Sequence, residues 1–475
     1  MIRDTFAMLS PFALIATMMA LLLAMLIGML DPFIGAGIIG ILTMGSIIAL
    51  RWDQLAATLV VVVSLYVDWY LGMKVAALVV VLALLFIFFM TRSPERPWLG
   101  PRALWLWMLL LVLAIPPATR GFTWNDGVTY YLNVFFGPAV IFWLGAVIAR
   151  DIPAVRRFVQ LLAGLGALLA VHTLVQAFTG ILLFRTSRYD AFLAQVSGFE
   201  LAGSTATRVG SFFLDPNWNG AFFAMMLFLP IGLFFNCTSL GGKILYLIEI
   251  CLMCISLLFI FSNGAWVGAF AGTLTLLLLV GRMRYRVLIL LIVFGAATAV
   301  ALVFPTQLAL EIQHATGATE VVSRTSAWQT AINVIHAFPL TGIGLGLLSY
   351  LNRAEPYRVI AQYVPLAHPH DSYLELAAMA GLPVLLVFAA LLSFAFSRAL
   401  RNWARADART RSLLAGGIAA AAALSVNSIS INGWTLSPLA ATGWLILGAI
   451  SSPLIAKGPN REASQEKDDA IIEAS

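Results

Sequence analysis

Apolar runs long enough for a helix to cross a bilayer, about 18 residues or more, recur along almost the whole chain. In hydrocarbon the backbone has no water to bond to, so each run must satisfy its own N–H and C=O groups as a helix. Candidate spans fall near residues 11–30, 33–50, 54–72, 74–91, 103–116, 129–149, 154–182, 218–236, 243–261, 264–281, 287–304, 372–396, 412–430 and 434–455. The early runs are short and paired, so the expected count is 12–14. Hydrophobic residues make up 61% of the 475 and charged ones 11%, more apolar surface than a soluble fold of this length buries. The fold expected is therefore an all-α, polytopic integral membrane protein, one membrane domain over 1–475. Trp52, Trp69, Tyr70, Trp98, Trp124 and Trp403 sit near span ends, as interfacial residues do. The first run, from about Pro11, has no small-residue cleavage site and reads as a retained anchor. Cys251 and Cys254 form a C-x-x-C pair inside an apolar run. They read, with Cys237, as small buried hydrophobes rather than a metal or redox site.

Charge fixes the expected orientation. With the N-terminus in the cytoplasm, 20 of the 28 Lys and Arg residues fall on the inner side. The positive-inside rule then places both termini inside. The excess positive charge therefore reports membrane topology, not nucleic-acid binding. The tail 457–475 is charged and polar and is expected to be disordered.

The outer side has two long polar loops, about 183–217 and 305–371. They carry Arg185, Arg188, Arg208, Arg324, Arg353 and Arg358. Arginine keeps its charge and offers a planar fork of donors suited to phosphate. Ser323-Arg324-Thr325-Ser326-Ala327-Trp328 begins a helical pattern that Pro339 ends. Ser323 would be the N-cap and Arg324 would lie in the first turn, where the helix N-terminus also favours an anion. Gly342-Ile343-Gly344-Leu345-Gly346 follows, and reads either as a phosphate cradle or as a turn returning the loop to the membrane. Next comes His368-Pro369-His370-Asp371-Ser372-Tyr373-Leu374-Glu375, at the outer mouth of a span. Ser372-x-x-Glu375 has the spacing of a capping box, which would leave His370 facing the loop. Histidine is the side chain best suited to moving protons near neutral pH. His368 is a close rival for the role, whereas His172 lies within a span and His314 and His336 lack a distinctive setting. The outer acidic residues are scattered, Asp215 among them, so a divalent-metal site has little support. Ionisable groups are scarce at mid-membrane and no internal repeat is visible, which argues against an ion-coupled transporter.

Three stretches resemble the O-antigen ligase and polymerase superfamily of bacterial inner membranes. They are Thr207-Arg208-Val209-Gly210 through Asp215-Pro216-Asn217; Ser323-Arg324-x-x-x-Trp328 with Pro339-Leu340-Thr341-Gly342-Ile343-Gly344; and His370-Asp371-x-x-Leu374-Glu375 with Gly381-Leu382-Pro383. The likeness spans roughly 150–400. Asp371 stands where Asn is usual, and Ser262-Asn263-Gly264 stands where Ser-Arg-Gly is common.

The resemblance implies a GT-C-like fold with a large, helix-containing periplasmic loop. It implies a glycosyltransferase that moves O-antigen polysaccharide from undecaprenyl diphosphate to lipid A–core, completing lipopolysaccharide. The implied reaction inverts the anomeric centre and uses neither metal nor cofactor. His370 would be the base and Arg208, Arg324, Arg185 and Arg188 would bind the donor, with Asp371, Trp328 and Asn217 in support. The implied partners are the lipid-linked glycan, lipid A–core and membrane lipids, not nucleic acid. The alternatives within the superfamily are an O-antigen polymerase and a protein O-oligosaccharyltransferase. Outside it, a lipid or solute transporter stays open.

Overall fold

A computed structural model describes residues 100–180, 198–201, 204–280, 283–306, 309, 318–362 and 365–456, together with Gln54, Ala57, Thr58 and Val61. The expected spans 11–30, 33–50 and 74–91, nearly all of 54–72, the tail, Arg185, Arg188 and His314 lie outside the described residues.

Every expected span from residue 103 onward contains a helix. In chain order these are α1 (Pro101–Thr119), α2 (Trp124–Tyr131) running through a π-helical turn into α3 (Gly137–Ile148), α4 (Ile152–Thr179), α5 (Pro216–Met226) continuing into α6 (Phe228–Asn236), α7 (Leu240–Ile260), α8 (Asn263–Leu279) and α9 (Met283–Val303). Beyond the large loop come α12 (Ser372–Ala380), α13 (Leu382–Arg405), α14 (Ala408–Asn427) and α15 (Ser437–Ile450). By length and composition, 6 helical segments among the described residues are able to cross a membrane, and α8 and α15 are shorter apolar helices. The protein is a polytopic helical membrane protein.

Both long loops contain structure. The first holds an antiparallel hairpin, β1 (Gly198–Leu201) against β2 (Ser204–Thr207), with Gly198 opposite Thr207. The second holds α10 (Ala318–Ala337) and α11 (Leu347–Arg353).

Small residues let the spans approach closely, since apolar side chains gain little from meeting each other in lipid. A Cβ on Gly448 of α15 would lie 2.0 Å from the Phe142 carbonyl of α3, and one on Gly145 would lie 2.4 Å from the Leu445 carbonyl. Trp107, Phe142, Phe388, Trp434 and Trp444 stack around this contact to form an aromatic core. The α5–α6 segment is almost wholly buried and forms the centre of the bundle.

Hydrogen bonds identify the two ends of the bundle. At one end Asn236 bonds the Arg409 carbonyl, Asn402 bonds the Ile450 and Ser452 carbonyls, and Ser452 bonds the Ala146 carbonyl. At the other end Trp218 bonds Asn432, and the Ser372 amide bonds the Ser428 and Ile431 carbonyls. The helices alternate in direction, so the starts of α5, α8 and α12 and the ends of α7 and α14 all gather at this second end. The long loops open from the same end.

Two expectations are corrected here. Residues 372–396 are not one helix: the chain breaks at Gly381, with φ 93°. The Leu382 amide there bonds the Pro339 carbonyl at 2.8 Å, and a Cβ on Gly381 would come within 2.4 Å of the Leu340 carbonyl. Of the cysteines, only Cys237 is buried. Cys251 is exposed on the outside of α7, and all three thiols are free.

Candidate functional site

Arg208 follows directly on β2. Its Nη2 donates to Asn217 Oδ1 at 2.7 Å, and its Nε reaches the Ile260 carbonyl at 3.4 Å. Asn217 Oδ1 also accepts from Ser262 Oγ at 3.2 Å. The guanidinium is thus seated where α5 begins and α7 ends. Asp215 caps α5 by accepting from the Asn217 amide at 2.6 Å, with Pro216 at the first helical position, where a missing N–H costs nothing. Burial raises the Asp215 carboxyl above the ordinary range, and the charges of both Arg208 and Arg324 pull it back down. The charges of both arginines therefore reach one carboxylate, although 116 positions separate them in the sequence.

Arg324 is not in the first turn of its helix. That helix, α10, begins at Ala318, so Ser323 is not its N-cap and the helix N-terminus does not reinforce the guanidinium. Pro339 does stand just beyond the helix end, as the sequence predicts. Arg324 is half-buried and donates through Nη1 to the Ser430 carbonyl, in the turn between α14 and α15. One helical turn further on, Trp328 is half-buried, and its indole Nε1 is enclosed without a hydrogen-bond partner among the described residues.

His370 precedes α12 with φ 54°, a left-handed conformation that is costly for a residue with a Cβ. Burial, and secondarily the Arg324 charge, lower its imidazole to about 4. The same causes, with the His370 charge added, hold His368 well below the ordinary histidine range. Both rings are therefore neutral near pH 7, and both lie in the field of Arg324. Among the described residues the His370 side chain makes no hydrogen bond.

The start of α12 is built differently from a capping box. Asp371 is the N-cap, accepting from the Tyr373 amide at 2.7 Å and the Leu374 amide at 2.9 Å. Burial raises its carboxyl to about 6, against the pull of those amides. Ser372 instead accepts from the Trp434 amide. Glu375 is buried and takes hydroxyl donors on both oxygens, Tyr130 at 2.6 Å and Thr435 at 2.8 Å. It ties α2, α12 and the α14–α15 turn together.

The glycine run is not a phosphate cradle, because four of its five amides are already bonded. Gly342 donates to the Phe338 carbonyl, Ile343 to Ala378, Gly344 to Met379 and Leu345 to Pro117. The run straps the large loop onto the end of α12. Asp126 extends the strap, accepting from the Leu348 and Ser349 amides at the start of α11. Arg353 is committed to the Arg120 and Ile343 carbonyls, and Arg358 pairs with Glu355 at 2.7 Å.

The structure thus brings Arg208, Asn217, Arg324, Trp328, His368, His370 and Asp371 to one end of the bundle. Arg353 and Arg358 are engaged elsewhere in the loop, and His336 is exposed at the end of α10. His172 bonds Ser211 Oγ through Nδ1 at 2.6 Å, behind the turn that carries Arg208. Asp215 is the site residue the sequence reading left among scattered acids. Its signal was the Asp-Pro pair at a helix start. Asn263, where the resemblance leads one to expect arginine, keeps its Oδ1 buried and without a partner among the described residues. A guanidinium beside a neutral imidazole, with a second guanidinium acting on the same carboxylate, forms a set able to hold an anion and accept a proton.

A comparison with curated proteins finds no match. A family model described as O-antigen ligase matches residues 250–389, which include Arg324, Trp328, His368, His370 and the glycine strap, while Arg208, Asp215 and Asn217 lie upstream. That match over residues 250–389 supports membership of the O-antigen ligase superfamily.

Proposed function

We propose that this end of the bundle transfers O-antigen polysaccharide from undecaprenyl diphosphate to a sugar hydroxyl of lipid A–core. The observation that carries the reading is that Arg324 acts through its charge both on His370 and on Asp215, which the Arg208 charge also reaches. The superfamily's ligase and polymerase chemistry uses lipid-linked polysaccharide, and such a donor presents a diphosphate at the membrane surface. Arg208 and Arg324 hold that diphosphate and offset the charge that grows on it as the glycosidic C–O bond breaks. The acceptor oxygen attacks the anomeric carbon from the opposite face, so the centre inverts. The electron pair of the broken bond leaves with undecaprenyl diphosphate, and the acceptor's proton passes to His370. General-base help of this kind contributes typically about 10²- to 10⁴-fold. With arginines neutralising the diphosphate, the reaction needs no divalent cation. Arg185 and Arg188, in the same loop as Arg208, are assigned to the donor diphosphate by their charge and place in the sequence. Trp328 and Asn217 support the two principal arginines.

The test is reconstitution: purified protein, undecaprenyl-diphosphate-linked glycan and lipid A–core, with EDTA present. Wild type should yield glycan-bearing lipid A–core, and His370→Ala should yield none while still binding the carrier. Lengthened glycan that stays on the carrier identifies a polymerase instead. An unchanged rate in His370→Ala removes the base from the mechanism.

A further inference from the structure

The histidine pair carries more than a choice between two candidate bases. The His370 amide donates to Nδ1 of His368 at 3.3 Å. The two rings meet edge to face, with centroids 4.4 Å apart and planes at 71°. Between them Pro369 has no N–H and a fixed φ, so the His370 amide is the first donor the turn can offer. This is the wiring of an Asx turn, in which a side-chain acceptor takes the amide two residues on. Here the imidazole Nδ1 takes the place of the Asn oxygen, since both are bonded to Cγ. The residue whose amide is held has the left-handed backbone, φ 54°.

We infer that His368 is a positioning residue: its Nδ1 holds the His370 backbone in the left-handed turn that aims the second imidazole at the site. The inference rests on the reading of His370 as the base. Accepting at Nδ1 requires a lone pair there, so the His368 proton resides on Nε2. Burial and the neighbouring Arg324 charge keep the ring neutral and the lone pair available. The His368 ring also closes one side of the His370 ring, so the acceptor and the ring restrict the same side chain twice. The bond is local to three residues, so replacing it changes where the base points without dismantling the bundle.

Three variants of the full chain separate acceptor from ring: His368→Asn keeps an acceptor at the same distance from the backbone, His368→Phe keeps a ring, and His368→Ala keeps neither. Loss of aim should lower kcat for glycan transfer on the order of 10- to 100-fold in the Phe and Ala variants, as misplacement by about an ångström does. KM for the lipid-linked donor should change by no more than about twofold, since the arginine contacts persist. Asn should restore most of the lost turnover. Hydrogen exchange of the segment around residue 370, followed by mass spectrometry, should show one slow amide in wild type and Asn that becomes fast in Phe and Ala. Phe as active as wild type, or Asn no better than Ala, overturns the positioning role. Equal amide exchange in all four proteins overturns it too. If wild type itself transfers no glycan, the reading of the site fails, and amide exchange alone decides the inference.

Discussion

An imidazole at about 4 is fully deprotonated at neutral pH but is a feeble base. Both causes of the depression, burial and the Arg324 charge, are altered when an anionic diphosphate binds between Arg324 and His370. Added negative charge stabilises the imidazolium and raises the pKa. The donor would thus strengthen the base that acts on its own acceptor. The sign follows directly: a base works when deprotonated, so activity falls as pH drops through its pKa. The acid limb of kcat/KM reports the free enzyme and should lie near 4, whereas that of kcat should lie at higher pH. Coincident limbs would mean that the diphosphate does not approach His370. Arg324→Lys keeps the charge and loses the planar fork. It should cost about 10- to 100-fold in kcat/KM, the equivalent of one charge-assisted hydrogen bond of about 1.5–3 kcal/mol. At this scale the sequence was informative about residue types: arginine in outer loops and histidine at a span mouth. It was silent on who meets whom. Arg208 and Arg324 act on one carboxylate only because the start of α5, the middle of α10 and the α14–α15 turn meet at the same end of the bundle, and no local pattern encodes that.

At the scale of elements, helix starts were the weakest part of the sequence reading, for a definite reason. Ser323 precedes an apolar period and so looks like a cap, but Thr319 to Val322 are equally able to be helical, and α10 absorbs them. Ser372 and Glu375 have capping-box spacing. Asp371 is the better acceptor, however, and buried Glu375 is drawn instead to two hydroxyl donors. Asparagine caps helices as well as aspartate does. Asp371→Asn should therefore leave the melting temperature and transfer rate unchanged, whereas Asp371→Ala should lose about 1 kcal/mol of stability. The glycine strap fails differently. A Cβ on Gly344, at φ 107°, would meet the Arg120 carbonyl at 2.4 Å. Gly344→Ala should cost about 1–3 kcal/mol from backbone conformation alone, and should lower both melting temperature and transfer. At Gly164, inside α4, a Cβ would meet nothing within 4 Å. Gly164→Ala should be neutral or stabilising by about 0.5–1 kcal/mol. Equal melting temperatures for the two glycine variants would mean that the strap is not packed against α12.

For the whole molecule, the alternation of helices turns a local site into a statement about sides. The α13–α14 turn lies at the end opposite the site and is flanked by Arg398, Arg401, Arg405, Arg409 and Arg411. Moving arginine across a bilayer is costly, and short basic loops are retained in the cytoplasm. We therefore propose that the long loops, which carry Arg208, Arg324 and His370, face outward, where a lipid-linked glycan would meet its acceptor. Sidedness is measurable without any assay of transfer. In a protein whose Cys237, Cys251 and Cys254 are replaced by serine, single cysteines can be placed at Ile360, which is 97% exposed in the large loop, and at Ala408, exposed at the start of α14. A membrane-impermeant maleimide added to cells with a permeabilised outer membrane should label the Ile360→Cys protein. It should reach Ala408→Cys only after the inner membrane is opened. The reverse pattern would put the arginine-rich turn outside and the histidines in the cytoplasm, and no lipid A–core acceptor waiting at the periplasmic face would then reach them.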